Sequence, residues 1–105
     1  MSISIGGFTA TGPYTNTEDL QDRSGVYILL TKKNIVNNKW KVVDIGESRE
    51  IRSRVQDHDR EECWGWESEG VLDYAVIYTS GKQKAGRMEV EHELRAQYSP
   101  PCGGR

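Results

Sequence analysis

Three apolar, β-branched runs stand out along the chain and predict the strands of a sheet. Residues 25–31 are almost continuously apolar, residues 40–46 follow after a short polar link, and residues 72–79 form the third run. Short apolar runs bounded by turn residues are typical of buried strands. Because Asn37 and Asn38 in the link favour a turn, we expect the first two strands to form an antiparallel hairpin.

Helical patterns follow the second and third of these runs. Ser48 is a suitable cap for a helix that extends to about residue 56 or 58, with Ile51 and Val55 one turn apart. A last helix is predicted over residues 82–98, because the prolines that follow cannot continue it. The acidic stretch 59–70 is predicted to be an irregular connection.

The order of these elements, β-β-α-β-α, predicts an α+β fold of α/β sandwich-like type. It would contain a small three-stranded antiparallel sheet flanked by helices. Residues 1–23 are predicted to form an extended N-terminal lead-in with a short helical turn near Thr17. Residues 24–105 would then be the folded domain.

Chain length, net charge and the lack of long apolar runs exclude several classes of protein. A chain of 105 residues is one small domain, and its net charge of −2 argues against a strongly basic nucleic-acid binder. We find no apolar run of the roughly 20 residues that a membrane helix needs, and no signal peptide. We therefore expect a cytoplasmic protein with no membrane partner. Cys63 and Cys102 could pair or stay free, and reduced thiols are the expectation for a cytoplasm.

Two carboxylates occupy positions where a core residue is expected. Asp44 interrupts an apolar strand, and simple alternation places it on the face of Val42, opposite Val43 and Ile45. Glu91 lies near the middle of the helix face that we expect to be buried. A buried carboxylate must be paired or bind a metal. The structural alternative for Glu91 is an ion pair with a neighbouring arginine, Arg87 or Arg95.

Arg54 and His58 lie four residues apart, on one edge of the predicted first helix. Beside a carboxylate they would suit a phosphate site, because arginine offers a planar charged fork and histidine exchanges protons near neutral pH. The alternative is an arginine and a histidine in ordinary surface positions. Trp64 and Trp66 could stack on bases, although core or lid positions are the more common use of such residues.

The residues that carry this chemistry occur in a characteristic order along the chain. A strand tripeptide comes first, then a strand ending in glycine, then a helix with arginine and histidine, and finally a helix with glutamate before two prolines. In chain order these residues are Gly25, Val26, Tyr27, Asp44, Ile45, Gly46, Ser48, Ile51, Arg54, His58, Glu91, Leu94, Pro100, Pro101 and Cys102.

This order resembles the GIY-YIG nuclease superfamily, from about residue 24 to the C-terminus. The resemblance implies a hydrolase, a divalent-metal-dependent endonuclease that cuts phosphodiester bonds in DNA, with a single Mg²⁺ or Mn²⁺. Glu91 would be the metal ligand, and Arg54 would contact the scissile phosphate. Tyr27 would lie beside the attacking water as a base or hydrogen-bond partner, with His58 assisting. Ser48 would help to bind the substrate.

Three departures from the family pattern matter. Asp44 replaces the second tyrosine, Glu47 stands where lysine is frequent, and Gly103 replaces an asparagine. We expect Asp44 to be a second metal ligand, or a base in place of the missing tyrosine. The alternative function is a catalytically degenerate module that binds nucleic acid or a protein partner. A nuclease of this size would draw its specificity from a partner, from a homodimer or from branched or damaged DNA.

Overall fold

One antiparallel sheet with helices on both faces organises the chain. The computed structural model describes residues 1–32, 40–69, 71–79, 81 and 83–103. The predicted Asn37–Asn38 turn and Lys82 lie outside the described residues. In chain order the elements are β1 (Ser2–Ile5), β2 (Phe8–Tyr14), a 3-10 turn (Thr17–Asp19), β3 (Gly25–Thr31), β4 (Lys41–Ser48), α1 (Ile51–Gln56), α2 (Glu61–Ser68), β5 (Asp73–Tyr78) and α3 (Lys84–Tyr98).

The sheet has five strands in the order β1-β2-β5-β3-β4, and every pairing is antiparallel. The α+β class and the helices flanking an antiparallel sheet are confirmed. The prediction of three strands is wrong, because residues 2–14, expected to be a lead-in, add the hairpin β1–β2. The alternation of serine and isoleucine over Ser2–Ile5 is the signal for a strand there. The expected helical turn at Thr17 is present, and Asn16 caps it.

The acidic stretch contains a helix rather than an irregular connection. α2 spans Glu61–Ser68, with Glu61 and Glu62 in its first turn, where carboxylates suit the helix dipole. Its Trp64 is buried, so tertiary packing stabilises a segment whose sequence lacks a clear apolar stripe. The first helix is also shorter than predicted, because Ser48 remains in β4.

The two faces of the sheet carry separate apolar clusters. One cluster packs against α3, and the other packs under α1 and α2. The first consists of Ile5, Ala10, Val26, Ile28, Leu30, Ile45, Ala75, Val90 and Leu94. The second consists of Leu20, Tyr27, Leu29, Val43, Ile51, Val55, Trp64, Val76 and Cys102.

A β-bulge in β4 places Asp44 on the face of the sheet opposite to the predicted one. Leu29 of β3 pairs with Asp44, whereas the next residue, Leu30, pairs with Val42. Val43 is therefore the extra residue of a β-bulge, and alternation fails there. Val42 packs on the α3 side, while Val43 and Asp44 contact the α1 and α2 side. The prediction that Asp44 shares a face with Val42 is wrong for this reason.

The C-terminal residues cover the free edge of β4. The Cys102 N–H donates to the Val43 carbonyl at 3.1 Å, and the Arg95 guanidinium donates to the Ile45 carbonyl. A disulfide joins Cys102 to Cys63 of α2. The expectation of reduced thiols is therefore wrong, because the tail brings the two cysteines together across the sheet edge. Covering an edge strand in this way blocks its pairing with another chain.

None of the helices in the described part of the chain combines the length and the apolar character needed to cross a bilayer.

Candidate functional site

Tyr27 and Gly46 face each other across β3 and β4. A Cβ added at Gly46 would overlap the Tyr27 phenol ring. A glycine is therefore required at position 46, because the ring crosses the neighbouring backbone. The close approach directs the phenol towards the end of α1, where His58 lies.

The Tyr27 hydroxyl forms a hydrogen bond of 2.5 Å with His58 Nε2. The imidazole packs against Trp64, with the ring centroids 4.4 Å apart and the ring planes tilted by 42°, which restricts its orientation. Its Nδ1 accepts the Arg60 backbone N–H at 3.0 Å. Because Nδ1 is an acceptor, we assign the ring proton to Nε2, which donates to the phenol oxygen. The carboxylate of Asp59 also lies 3.1 Å from Nδ1, but it is largely exposed to water.

Both groups of this pair are uncharged near neutral pH. Burial raises the pKa of Tyr27 to about 12, against the opposing positive charge of Arg60. Burial and the nearby charges of Arg54 and Arg60 lower the pKa of His58 to about 4. The site therefore presents a phenol held by a neutral imidazole.

Two further predicted residues, Arg54 and Glu91, bring charge to this pair. Arg54 of α1 is partly exposed and donates to Asp59 at 3.1 Å. Glu91 of α3 is close enough for its charge to act on Tyr27, as does that of Arg54. Burial raises the pKa of Glu91, and the charge of Glu47 acts in the same direction. Of these four residues, Tyr27 and His58 are in contact, whereas Arg54 of α1 and Glu91 of α3 are related to Tyr27 through their charges.

Ser48 lies at the end of β4, and its hydroxyl oxygen accepts the Glu50 N–H at 2.9 Å. This bond shapes the connection between β4 and α1. The hydroxyl proton is not used by that bond, so Ser48 retains a donor for a substrate oxygen.

Asp44 lies at the centre of a second polar group, the Asp44 cluster, formed with Arg60, Trp64 and Arg95. The Asp44 side chain is fully buried. It accepts Arg60 Nε at 2.7 Å, the Trp64 indole N–H at 2.6 Å and an Arg95 guanidinium N–H at 2.6 Å. Two arginines and an indole therefore satisfy the Asp44 carboxylate, which stands where the resembled nuclease pattern has a tyrosine.

The other departures from the family pattern also have structural partners. A Cβ at Gly103 would collide with Arg95 and Asp44, and its φ of +85° is a conformation that favours glycine. Gly103 and Asp44 are thus coupled through one arginine. Glu47 pairs with the buried Arg87 at 2.8 Å. The negative charges of Asp44 and Glu47 are therefore each paired with arginine.

The described side chains fit a metal site with a single protein ligand. In the ranges that the structure describes, no group of three or more His, Cys, Asp or Glu side chains could hold a metal ion. Both carboxylate oxygens of Asp44 accept hydrogen bonds from arginine or indole N–H groups. Glu91 has one loose contact, 3.6 Å to Arg95 Nε. A single carboxylate fits Mg²⁺, which commonly keeps several waters and takes further ligands from substrate phosphates.

Arg60 and Arg95 are the residues that sequence reasoning did not assign to the site. Arg95 was considered only as an ion-pair partner of Glu91, and that contact is present. Its stronger bond to Asp44 crosses the sheet edge, which no local spacing reveals. Arg60 carried no signal at all, because its role depends on the bulge that turns Asp44 towards α2.

Comparisons with protein-family models, curated proteins and solved structures found no match. The geometry of the site and the order of its residues are therefore the basis for any functional assignment.

Proposed function

We propose that this chain is a divalent-metal-dependent endonuclease of the GIY-YIG type, which hydrolyses phosphodiester bonds in DNA. The observation that carries the proposal is the Tyr27–His58 hydrogen bond, formed within reach of the charges of Arg54 and Glu91. A cation for the phosphate, a carboxylate for a metal and a hydrogen-bonding phenol thus occur together. Purely structural packing does not require this combination.

The roles follow from the chemistry of each group. Arg54 stabilises the negative charge that grows on the phosphate in the transition state. Glu91 holds Mg²⁺ or Mn²⁺, which when bound polarises the phosphate and promotes formation of the nucleophile. Tyr27 is a phenol at neutral pH, so it orients the attacking water by a hydrogen bond. His58 keeps the phenol in place through its Nε2–H.

The test is cleavage of single-stranded, duplex and branched DNA with Mg²⁺ or Mn²⁺. We expect Glu91→Ala to reduce the cleavage rate by about a thousandfold, since losing the metal removes several kcal/mol of transition-state stabilisation. Glu93→Ala, an exposed glutamate on the same helix, is the matched control and should cut normally. Equal cutting by Glu91→Ala and the wild type would contradict the proposal.

A catalytically degenerate binding module is the second candidate function. Two observations favour it: Asp44 is fully paired, and Tyr27 is only 2% exposed. Trp66, which is 83% exposed on the acidic helix α2, would then suit a protein partner. Absence of cleavage with either metal, together with unchanged DNA binding by Glu91→Ala, would favour this function.

The cytoplasmic location and the homodimer remain predictions within this proposal. A cytoplasmic location goes with reduced cysteines, and the disulfide between Cys63 and Cys102 does not agree with that expectation. Thiol titration of the protein in cell extracts prepared under alkylating conditions would test whether these two cysteines are oxidised in the cell.

A further inference from the structure

A cavity of about 590 Å³ opens where β3 and α3 begin, beside the site described above. Three of its lining residues are cations, and the part of the chain that the structure describes contributes no carboxylate to its wall. The lining residues are Ser24, Arg49, Gln83, Lys84 and Arg87.

The three cations differ in how they are held. Arg87 is buried, pairs with Glu47 at 2.8 Å and donates to the Ser24 hydroxyl at 3.2 Å. These bonds fix its guanidinium at the base of the cavity. Arg49 and Lys84 are exposed, and neither pairs with a carboxylate among the described residues. Two uncommitted positive charges therefore flank a fixed one, in a chain whose net charge is −2.

The cavity lies near Glu91 along α3. Arg87, at the base of the cavity, and Glu91 are one helical turn apart, while Glu47, the partner of Arg87, lies on the α3 face of the sheet with Val26. Glu47 is also near enough to Glu91 for their charges to interact. A nucleic-acid strand carries a negative charge about every 3.4 Å along its axis. A strand whose phosphate lies at Arg54 and Glu91 would therefore present neighbouring phosphates to this region.

We infer that this cavity binds a backbone phosphate of DNA next to the phosphate that is cut, with Arg49 and Lys84 as its direct contacts. The position relative to the cut phosphate rests on the proposed function, whereas the binding of a phosphate does not. Arginine supplies a planar fork that matches phosphate oxygens, and lysine supplies a compact point charge. Glu47 occupies Arg87, so Arg49 and Lys84 are the cations that an anion in the cavity would contact.

The test measures DNA affinity without metal, so that cleavage plays no part. A short fluorescent duplex is titrated in EDTA with wild type and with the double variant Arg49→Gln/Lys84→Gln. We expect the Kd of the variant to rise roughly tenfold or more at low salt, and the slope of log K against log salt to fall by about two. Both replaced side chains are exposed, so the fold should persist.

The matched control is Lys32→Gln/Lys41→Gln. It removes the same charge from the far end of β3 and β4, where Lys32 lies over the Trp40 ring and Lys41 pairs with Glu67. We expect this control to change the salt slope little. An equal loss of affinity in both double variants, or none in Arg49→Gln/Lys84→Gln, would overturn the inference.

A competition experiment distinguishes DNA from a free phosphate compound as the source of the bound phosphate. Pyrophosphate should displace the duplex from the wild type only weakly. If the Arg49→Gln/Lys84→Gln variant loses pyrophosphate binding but keeps duplex affinity, the cavity serves a free phosphate compound and the assignment to DNA is wrong. Cleavage by Glu91→Ala tests the proposed function alone, and metal-free affinity tests this inference alone.

Discussion

The Asp44 cluster and the candidate site border each other along β4, and they differ in how completely their carboxylates are paired. Asp44 is fully buried and accepts bonds from Arg60, Arg95 and Trp64. Glu91 retains some exposure, and its ion pair with Arg95 is long, at 3.6 Å. The first is therefore built into the fold, while the second is able to exchange its partner for a ligand.

Arg95 connects the two regions. It donates to Asp44 and to the Ile45 carbonyl on one side, and it lies 3.6 Å from Glu91 on the other. The Asp44 cluster thus holds a cation beside the candidate metal ligand. One arginine thus links an acid in an apolar strand to a carboxylate on α3.

Removing the Asp44 charge should produce the largest change in stability. Asp44→Asn removes the negative charge that Arg60 and Arg95 share and replaces one acceptor oxygen with an amide N–H donor, so we expect a loss of about 3–5 kcal/mol in the free energy of unfolding. Urea denaturation measures this loss. Glu89→Gln, an exposed charge change on α3, is the control and should be nearly neutral. A loss below about 1 kcal/mol would mean that the cluster contributes little.

Opening the disulfide should have a slightly smaller effect. Cys63 and Cys102 are 39 residues apart, and cross-linking a loop of this length stabilises the folded state by about 3–4 kcal/mol in the chain-entropy model. We expect Cys63→Ser/Cys102→Ser to lower the unfolding midpoint, and added dithiothreitol to lower that of the wild type to a similar value. The double variant itself should not respond to the reductant. A wild-type midpoint that is insensitive to dithiothreitol would contradict the structure here.

Protonation of His58 should weaken the fold in acid. Its pKa is about 4 in the folded state and about 6.5 in an unfolded chain, so the unfolded state binds more protons between these values. Stability is therefore fully present above pH 6.5 and falls by about 3 kcal/mol as the pH drops to 4. His58→Gln should flatten the profile of unfolding free energy against pH in this window. His92→Gln, at an exposed position, should leave the profile unchanged.

The smallest effect is expected for an ion pair outside both regions. Lys41 and Glu67 lie 3.4 Å apart, and the lysine side chain is 46% exposed. Surface pairs of this kind contribute about 0–1 kcal/mol, so Lys41→Gln should barely change the unfolding free energy. A double-mutant cycle with Glu67→Gln measures the coupling. A coupling as large as that of Asp44 with Arg95 would undo the contrast between buried and exposed pairs.

Part of the candidate site was named before the fold was known. Arg54, His58 and Glu91 were named from their helical positions and Tyr27 from the resemblance, and the structure shows a contact between Tyr27 and His58. The face of Asp44 was not predictable, because a bulge at Val43 breaks the alternation on which the prediction depended. The hairpin β1–β2 was missed because its small polar residues weaken the apolar signal.

The sequence by itself determined the α+β class and the last helix, because these depend on periodicity and residue type. The tertiary structure alone decided which carboxylate is paired. Arg95 reaches Asp44 around the edge of the sheet, and the disulfide of Cys102 with Cys63 holds the tail over that edge. Both contacts join residues that are far apart along the chain, so no local spacing encodes them.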